Sequence, residues 1–232
     1  MSNSLIEFSR QGLINVKGNF SESCLMDLGG GSLKSLKEGK LKIHVVRHGG
    51  VKPVENLSLT FGDAVGDFYI YVAGDDSSVV VSSGVKGGFN IRLWRASSVF
   101  IGEKTTSNNA KIVCDNSTFE CGSDCMFSDG VIFQTADQHA IIDLRSKKII
   151  NLNRSRVKIG SHVWVGRNAT LMPGAVVGSG SIVALGSIVT KEFKDNVAIA
   201  GIPAYIVKED VSWSRNPGKV DSYCMSQYQD EA

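Results

Sequence analysis

The sequence predicts an all-β solenoid: a left-handed parallel β-helix with a β-rich N-terminal region and one excursion loop. Three observations point there. Aliphatic residues recur at every sixth position from Ile159, through Val165, Leu171, Val177 and Val183 to Val189. The fifth position of the same hexads is Val163, Ala169, Ala175, Ser181 and Ser187, small or β-branched until Phe193. The chain carries 25 glycines and only four prolines in 232 residues, which suits many tight turns with positive φ rather than a flexible linker.

A six-residue period leaves no fixed face on a 3.6-residue helix. Plain strand alternation would explain inward residues but not turn chemistry every six. A coil of short parallel strands explains both. Each hexad forms one side, three hexads close one turn, and turns stack at about 4.8 Å, the interstrand spacing.

In chain order, residues 1–80 read as the β-rich N-terminal region. Its strands are LKIHVV, LSLTF, FYIYVA and SSVVVSS, separated by Gly, Asp and Pro turns. LGGGS at Leu28–Ser32 lacks the Gly-Lys-Ser/Thr ending of a phosphate loop and reads as a turn. Residues 81–204 form the β-helix. A weaker run of hexads starts at Ile101 and leads with Ser107, Val113, Phe119, Cys125 and Val131. The step from Ile101 to Ile159 is nine hexads plus four, so the register breaks once, and an excursion is expected near residues 137–158. Residues 205–232 are expected to be a cap, AYIVKED, and a mobile polar tail.

Composition excludes several classes. Lys plus Arg is 25 and Asp plus Glu is 23, so no strong pull toward nucleic acid follows. No apolar run reaches the 18 or so residues of a membrane span. MSNSLIEFSRQG has no basic segment followed by an apolar stretch, so no secretory leader and a cytoplasmic location are expected. Cys24, Cys114, Cys121, Cys125 and Cys224 have no zinc-ribbon spacing and read as reduced, mostly buried thiols.

Four histidines are the candidates for proton chemistry. His44 and His48 share a strand face with no ligand cluster nearby, which predicts structural roles and no metal site. His162 falls at a hexad corner and reads as an exposed turn residue. His139 differs, because it lies in TADQHAIID, where the register breaks. A neutral imidazole there suits general-base work. Asp137, two residues away, or Asp143, four away, could orient it, and either could equally cap a turn. Trp164 occupies the sixth, outward position of its hexad. A large exposed aromatic there is expected to cover a ligand, a neighbouring subunit or the excursion.

TADQHAIID, KKIINL, VKIGSHVWVG, LMPGAVVGSGSIVALGSIVTKEF and AIAGIPAYIVKE together resemble the hexapeptide-repeat O-acetyltransferases. The similarity is greatest to the branch acting on capsular and surface polysaccharides, polysialic acid among them. It runs from about Ile101 to Trp213 and does not extend into the N-terminal region. The resemblance implies His139 as catalytic base and Trp164 beside the thioester of acetyl-CoA. It implies that Gly166, Ala184, Gly186 and Ser187 lie along the pantetheine arm, with Lys191 and the turn containing Pro203 near the adenosine end. It also implies a homotrimer with each site between two subunits. Gln138 replaces a residue that is commonly small, and Tyr205 stands where Lys or Arg is frequent.

The expected activity is transfer of acetyl from acetyl-CoA to a sugar or polysaccharide hydroxyl, with Asp137 and Asp143 at the acceptor side. The alternatives are an N-acetyltransferase acting on an aminosugar nucleotide and a non-catalytic solenoid binding module. A zinc hydratase of the same fold needs three converging histidines, and the repeat region offers only His139 and His162.

Overall fold

The computed structural model describes residues 3–151 and 156–227. From residue 118 onward the backbone winds in three-sided coils joined by parallel hydrogen bonds. One face stacks Thr118–Cys121, Arg156–Ile159, Val176–Val177 and Glu192–Phe193. The second stacks Met126–Phe127, Trp164–Val165, Ile182–Val183 and Val197–Gly201. The third stacks Ile132–Gln134, Thr170–Leu171 and Ile188–Val189. Ile159, Val165, Leu171, Val177, Val183 and Val189 are all buried, as are Val163, Ala169, Ala175, Ser181 and Ser187. Two inward residues per hexad therefore fill the tube.

Turn chemistry explains the corners. Gly84, Lys104, Asp124, His162, Gly180 and Asn196 all have positive φ, between 54° and 77°. From Lys104 onward, each N–H in this column bonds a carbonyl one coil earlier, as Asp124 does to Glu103 and His162 to Ser123, both at 2.7 Å. Gly, Asn and Asp adopt this left-handed conformation at least cost.

The hexads before the excursion are out of phase with those expected. Cys121, Phe127 and Phe133 stack on Ile159, Val165 and Leu171, whereas Phe119, read as a lead, pairs with Val157. The cause is coil length. Ile101 pairs with Cys121 and Ile159 with Val177, so the earlier coil is longer than three hexads. Bulkier fillers accompany the wider coils, with Phe119 and Phe133 centroids 4.7 Å apart and Phe127 and Phe133 4.9 Å apart.

The segment read as N-terminal strands continues the same ladders. Leu41–Arg47, Gly66–Val72, Lys86–Leu93 and Thr106–Cys114 pair in parallel. The last of these pairs with strands of both the second and third faces, so each long strand spans what later becomes two sides. The long strands approach so closely that a Cβ on Gly87 would run into the Ser107 carbonyl. Inside, Val45, Ile70, Ile91 and Ile112 form a fully buried column. Cys24, Cys114, Cys121 and Cys125 are buried free thiols. Burial pushes the Cys114 thiol up to about 12, so it packs rather than reacts.

Both ends are capped. Helix α1 (Leu5–Arg10) buries Leu5 and Phe8 against the first coil. LGGGS is not a turn, because helix α2 (Gly30–Lys37) begins within it. The buried Ser32 hydroxyl bonds the Gly62 carbonyl and accepts from Ala64 N–H at 3.0 Å. These bonds tie α2 to the coil, and at the helix start Asp63 Oδ1 accepts from the Gly31 N–H at 2.8 Å. At the far end, Ala204–Glu209 folds back antiparallel on Val197–Gly201. The expected mobile tail is structured as far as residue 227, where helix α3 (Ser222–Gln227) ends. Residues 228–232 lie outside the described residues. Among the described residues no helix is long and apolar enough to cross a membrane.

Candidate active site

The third-face strand Ile132–Gln134 ends at the break in the hexads, and the chain leaves the coil at Ala136. Across this break Cys121 stacks on Ile159, a stretch more than twice as long as the following turn from Ile159 to Val177. The additional residues contain a small hairpin, Ile142–Asp143 paired antiparallel with Lys148–Ile149. Asp143 closes its turn, accepting from Arg145 N–H at 3.1 Å and Ser146 N–H at 2.5 Å. Those hydrogen bonds, Ser146's first, hold its carboxyl below the usual carboxylate range.

Asn151 pins the hairpin base. Its amide donates to the His139 carbonyl at 2.8 Å and to Asp137 Oδ2 at 3.1 Å, and its Oδ1 accepts from Ile141 N–H at 2.9 Å. The His139 backbone is thereby fixed while its side chain is exposed. Among the described residues the imidazole makes no hydrogen bond. Within this chain neither candidate orienting carboxylate bonds the ring: Asp137 bonds Asn151, and Asp143 caps its turn.

Trp164 sits on the second face between Met126 and Ile182. It is 37% exposed, so it does face outward. Its Nε1–H reaches Ser128 Oγ at 3.3 Å, a long bond, and its ring lies 6.2 Å from Trp213. At the corner after Trp164, small residues stack between coils. A Cβ on Gly166 would lie 2.7 Å from Leu185 N and 2.9 Å from the Val183 carbonyl, so only glycine fits. Gly186, with φ 67°, has open space where a Cβ would be. The N–H groups of Gly166, Ala184, Gly186 and Ser187 all bond within the coils, to Val183, Ile199, Arg167 and Ala184. What this corner offers a ligand is therefore a shallow, small-residue surface. Ser187 Oγ is buried and has no partner among the described residues. Lys191 is exposed, its amine 5.5 Å from the Phe193 ring centroid. Pro203 is exposed in the final turn.

His162 contradicts its reading as an exposed turn residue. It holds a corner position with φ 54°, yet is only 1% exposed. The C-terminal segment covers it. Its Nδ1 lies 2.7 Å from Asp124 Oδ2 and its Nε2 2.8 Å from the Trp213 carbonyl. Trp213 and Tyr223 stack on the ring at 4.5 and 4.1 Å. Trp213 returns its Nε1–H to the His162 carbonyl at 2.8 Å, and Arg215 bonds Asp124 at 3.0 Å. Asp221 and Cys224 complete a cluster of metal-ligand type with His162. In it, the His162 Nε2 and the Cys224 thiol are both engaged by the Trp213 carbonyl. The signal in the sequence was Trp213 itself, a large aromatic beyond the end of the hexads.

Comparison with known proteins converges on one family. The profile of the bacterial transferase hexapeptide, six repeats, matches residues 156–191. A polysialic acid O-acetyltransferase of Neisseria meningitidis is 32% identical over 197 residues, covering 74% of this chain and 90% of that protein. One from Escherichia coli O1:K1 / APEC is 43% identical over 135 residues, covering 58% of this chain but only 43% of that protein. The crystal structure of NeuO, a polySia-specific acetyltransferase, superposes with a TM-score of 0.75 at 32% identity. That match covers 91% of this chain and 94% of NeuO. The solenoid is the left-handed parallel β-helix that the hexads predict.

Proposed function

We propose, because this chain belongs to the hexapeptide-repeat transferases and is an acyltransferase of the branch containing the polysialic acid O-acetyltransferases, that it acetylates a hydroxyl of a capsular or surface polysaccharide. Acetyl-CoA is the donor. The observation that carries this reading is His139, whose exposed imidazole stands on a backbone pinned by Asn151 where the winding is interrupted.

A sugar hydroxyl is a weak nucleophile and needs a base. His139 takes the hydroxyl proton as the sugar oxygen forms its bond to the thioester carbonyl carbon. Trp164 Nε1–H, held only loosely by Ser128 at 3.3 Å, turns to the oxyanion. The carbon–sulfur bond then breaks, and His139 returns its proton to the departing sulfur, so the imidazole ends neutral. General-base help of this kind contributes about 10²–10⁴-fold.

The small-residue corner at Gly166, Ala184 and Gly186 suits a narrow pantetheine arm. Lys191 brings positive charge suited to a phosphate. Ile141, Ile142, Leu144 and Ile150 are 50–87% exposed on or beside the hairpin. Large apolar side chains in such a row suit burial by another protomer, which supports a homotrimer with each site shared between subunits. Asp137 and Asp143 then lie on the acceptor side, with residues 1–80 available to the polysaccharide.

The experiment is to incubate the protein with acetyl-CoA and polysialic acid and follow added acetyl groups by mass spectrometry. Acetyl groups removed by mild alkali mark an ester and support the reading. Acetyl groups stable to alkali mark an amide and favour transfer to an aminosugar.

A further inference from the structure

We propose that a cavity on the N-terminal coils is a second saccharide site, which holds one acidic sugar of the acceptor chain away from the acetyl-transfer site. The cavity is about 140 Å³ and is lined by His48, Tyr71, Ala73, Arg92, Leu93 and Trp94. That is small for a coenzyme and suited to a single sugar ring. The acceptor class rests on the function proposed above.

Three features of the lining specify the ligand. First, it is aromatic. The His48 and Trp94 rings meet edge to face at 4.9 Å, and Arg92 lies 5.4 Å from the centroid of Tyr71. Aromatic faces pack against the C–H surface of a sugar while their polar edges hydrogen-bond. Second, its polar side chains are donors, and none is a carboxylate or amide. Arg92 spends only its Nε, on Asn90 at 3.3 Å. Third, Trp94, a residue of the lining, has a buried Nε1 donor with no partner among the described residues. A buried donor without an acceptor loses its bond to water and gains nothing in return, so this region is stabilised by an acceptor-rich ligand. Asp75 and Asp76 follow Ala73 closely, but their carboxylates accept from Glu55 N–H at 3.0 Å and Asn56 Nδ2 at 2.8 Å. A sugar carboxylate with its flanking hydroxyls is the acceptor set that complements these donors.

Position links this cavity to catalysis. Tyr71, Arg92, Val113 and Gln134 are successive partners in one ladder. Arg92 thus lies two coils, about 10 Å at the interstrand spacing, from Gln134. The excursion carrying His139 leaves the coil two residues after Gln134. A polymer anchored at Arg92 has its later residues delivered toward the imidazole.

The test measures binding of a sialic acid oligomer to the full-length protein without acetyl-CoA, by calorimetry, beside a neutral maltooligosaccharide of equal length. Arg92→Ala removes the charge. Trp94→Phe keeps the ring and removes only the N–H. Each is expected to weaken the acidic oligomer about tenfold. Each should also raise KM for the polymer without changing kcat, and leave KM for acetyl-CoA and for a single-sugar acceptor unchanged. Binding unchanged in both variants, equal binding of the neutral oligomer, or no binding by the wild type overturns the site. Binding lost in the variants while the wild type transfers no acetyl would leave this site standing and refute the acetyltransferase reading.

Discussion

A histidine serves as a base when its backbone is fixed and its ring is free, and His139 meets both conditions. The sequence shows why it draws notice, since it is a titratable side chain where the hexads break. It does not show Asn151, beyond the hairpin, whose amide holds the His139 carbonyl, because a side-chain bond across a hairpin leaves no periodic trace. Trp164 was legible as outward-facing from its hexad position, and its Ser128 partner, one coil earlier, was not. Trp164→Phe separates its two roles. If Nε1–H meets the oxyanion, kcat falls about 10²-fold with KM for acetyl-CoA nearly unchanged. Steady-state kinetics check this, and an unchanged kcat would leave the N–H as a partner of Ser128 alone.

Two elements shape the surroundings of the site. The hairpin from Asp137 to Asn151 is held at its base by one amide side chain that makes three hydrogen bonds. Asn151→Ala removes all three, yet no hairpin residue belongs to the core that fills the coils of its own chain. The expected result is a loss of turnover of about tenfold or more with a melting temperature within a few degrees of wild type. A large drop in melting temperature would show that the hairpin supports the solenoid itself. The second element is the C-terminal segment, folded over His162 by Trp213 and Tyr223. Its docking joins His162 to Trp213, far apart in the chain and beyond the reach of local propensity, and His162 stands at a corner where Gly, Asp or Asn would be conventional. His162→Ala leaves the Asp124 carboxylate and the Trp213 carbonyl without their ring partner. It should cost about 1–3 kcal/mol and expose the segment after Trp213 to limited proteolysis. Cleavage patterns identical to wild type would contradict the clamp.

On the scale of the whole molecule, stability comes from aliphatic columns running through every coil, and the sequence displays this best where three hexads make one turn. From Ile159 to Val189 the period is clean because each coil is three whole hexads. Upstream it blurs because longer coils admit Phe119, Phe127 and Phe133 and shift the phase. Val177 is fully buried between Ile159 and Phe193. Val177→Asp places a charge inside the tube with no partner and should yield no folded soluble protein. A soluble variant with wild-type circular dichroism would mean that the inward face is misassigned. The solenoid holds the excursion at one fixed point on its side, and the central claim is that His139 removes the acceptor proton there. The direct measurement is single-turnover acetyl transfer to polysialic acid by wild type and His139→Ala, each confirmed to have the same assembly state. A rate lower by about 10²–10⁴-fold with assembly retained is expected, and a rate equal to wild type would contradict the assignment.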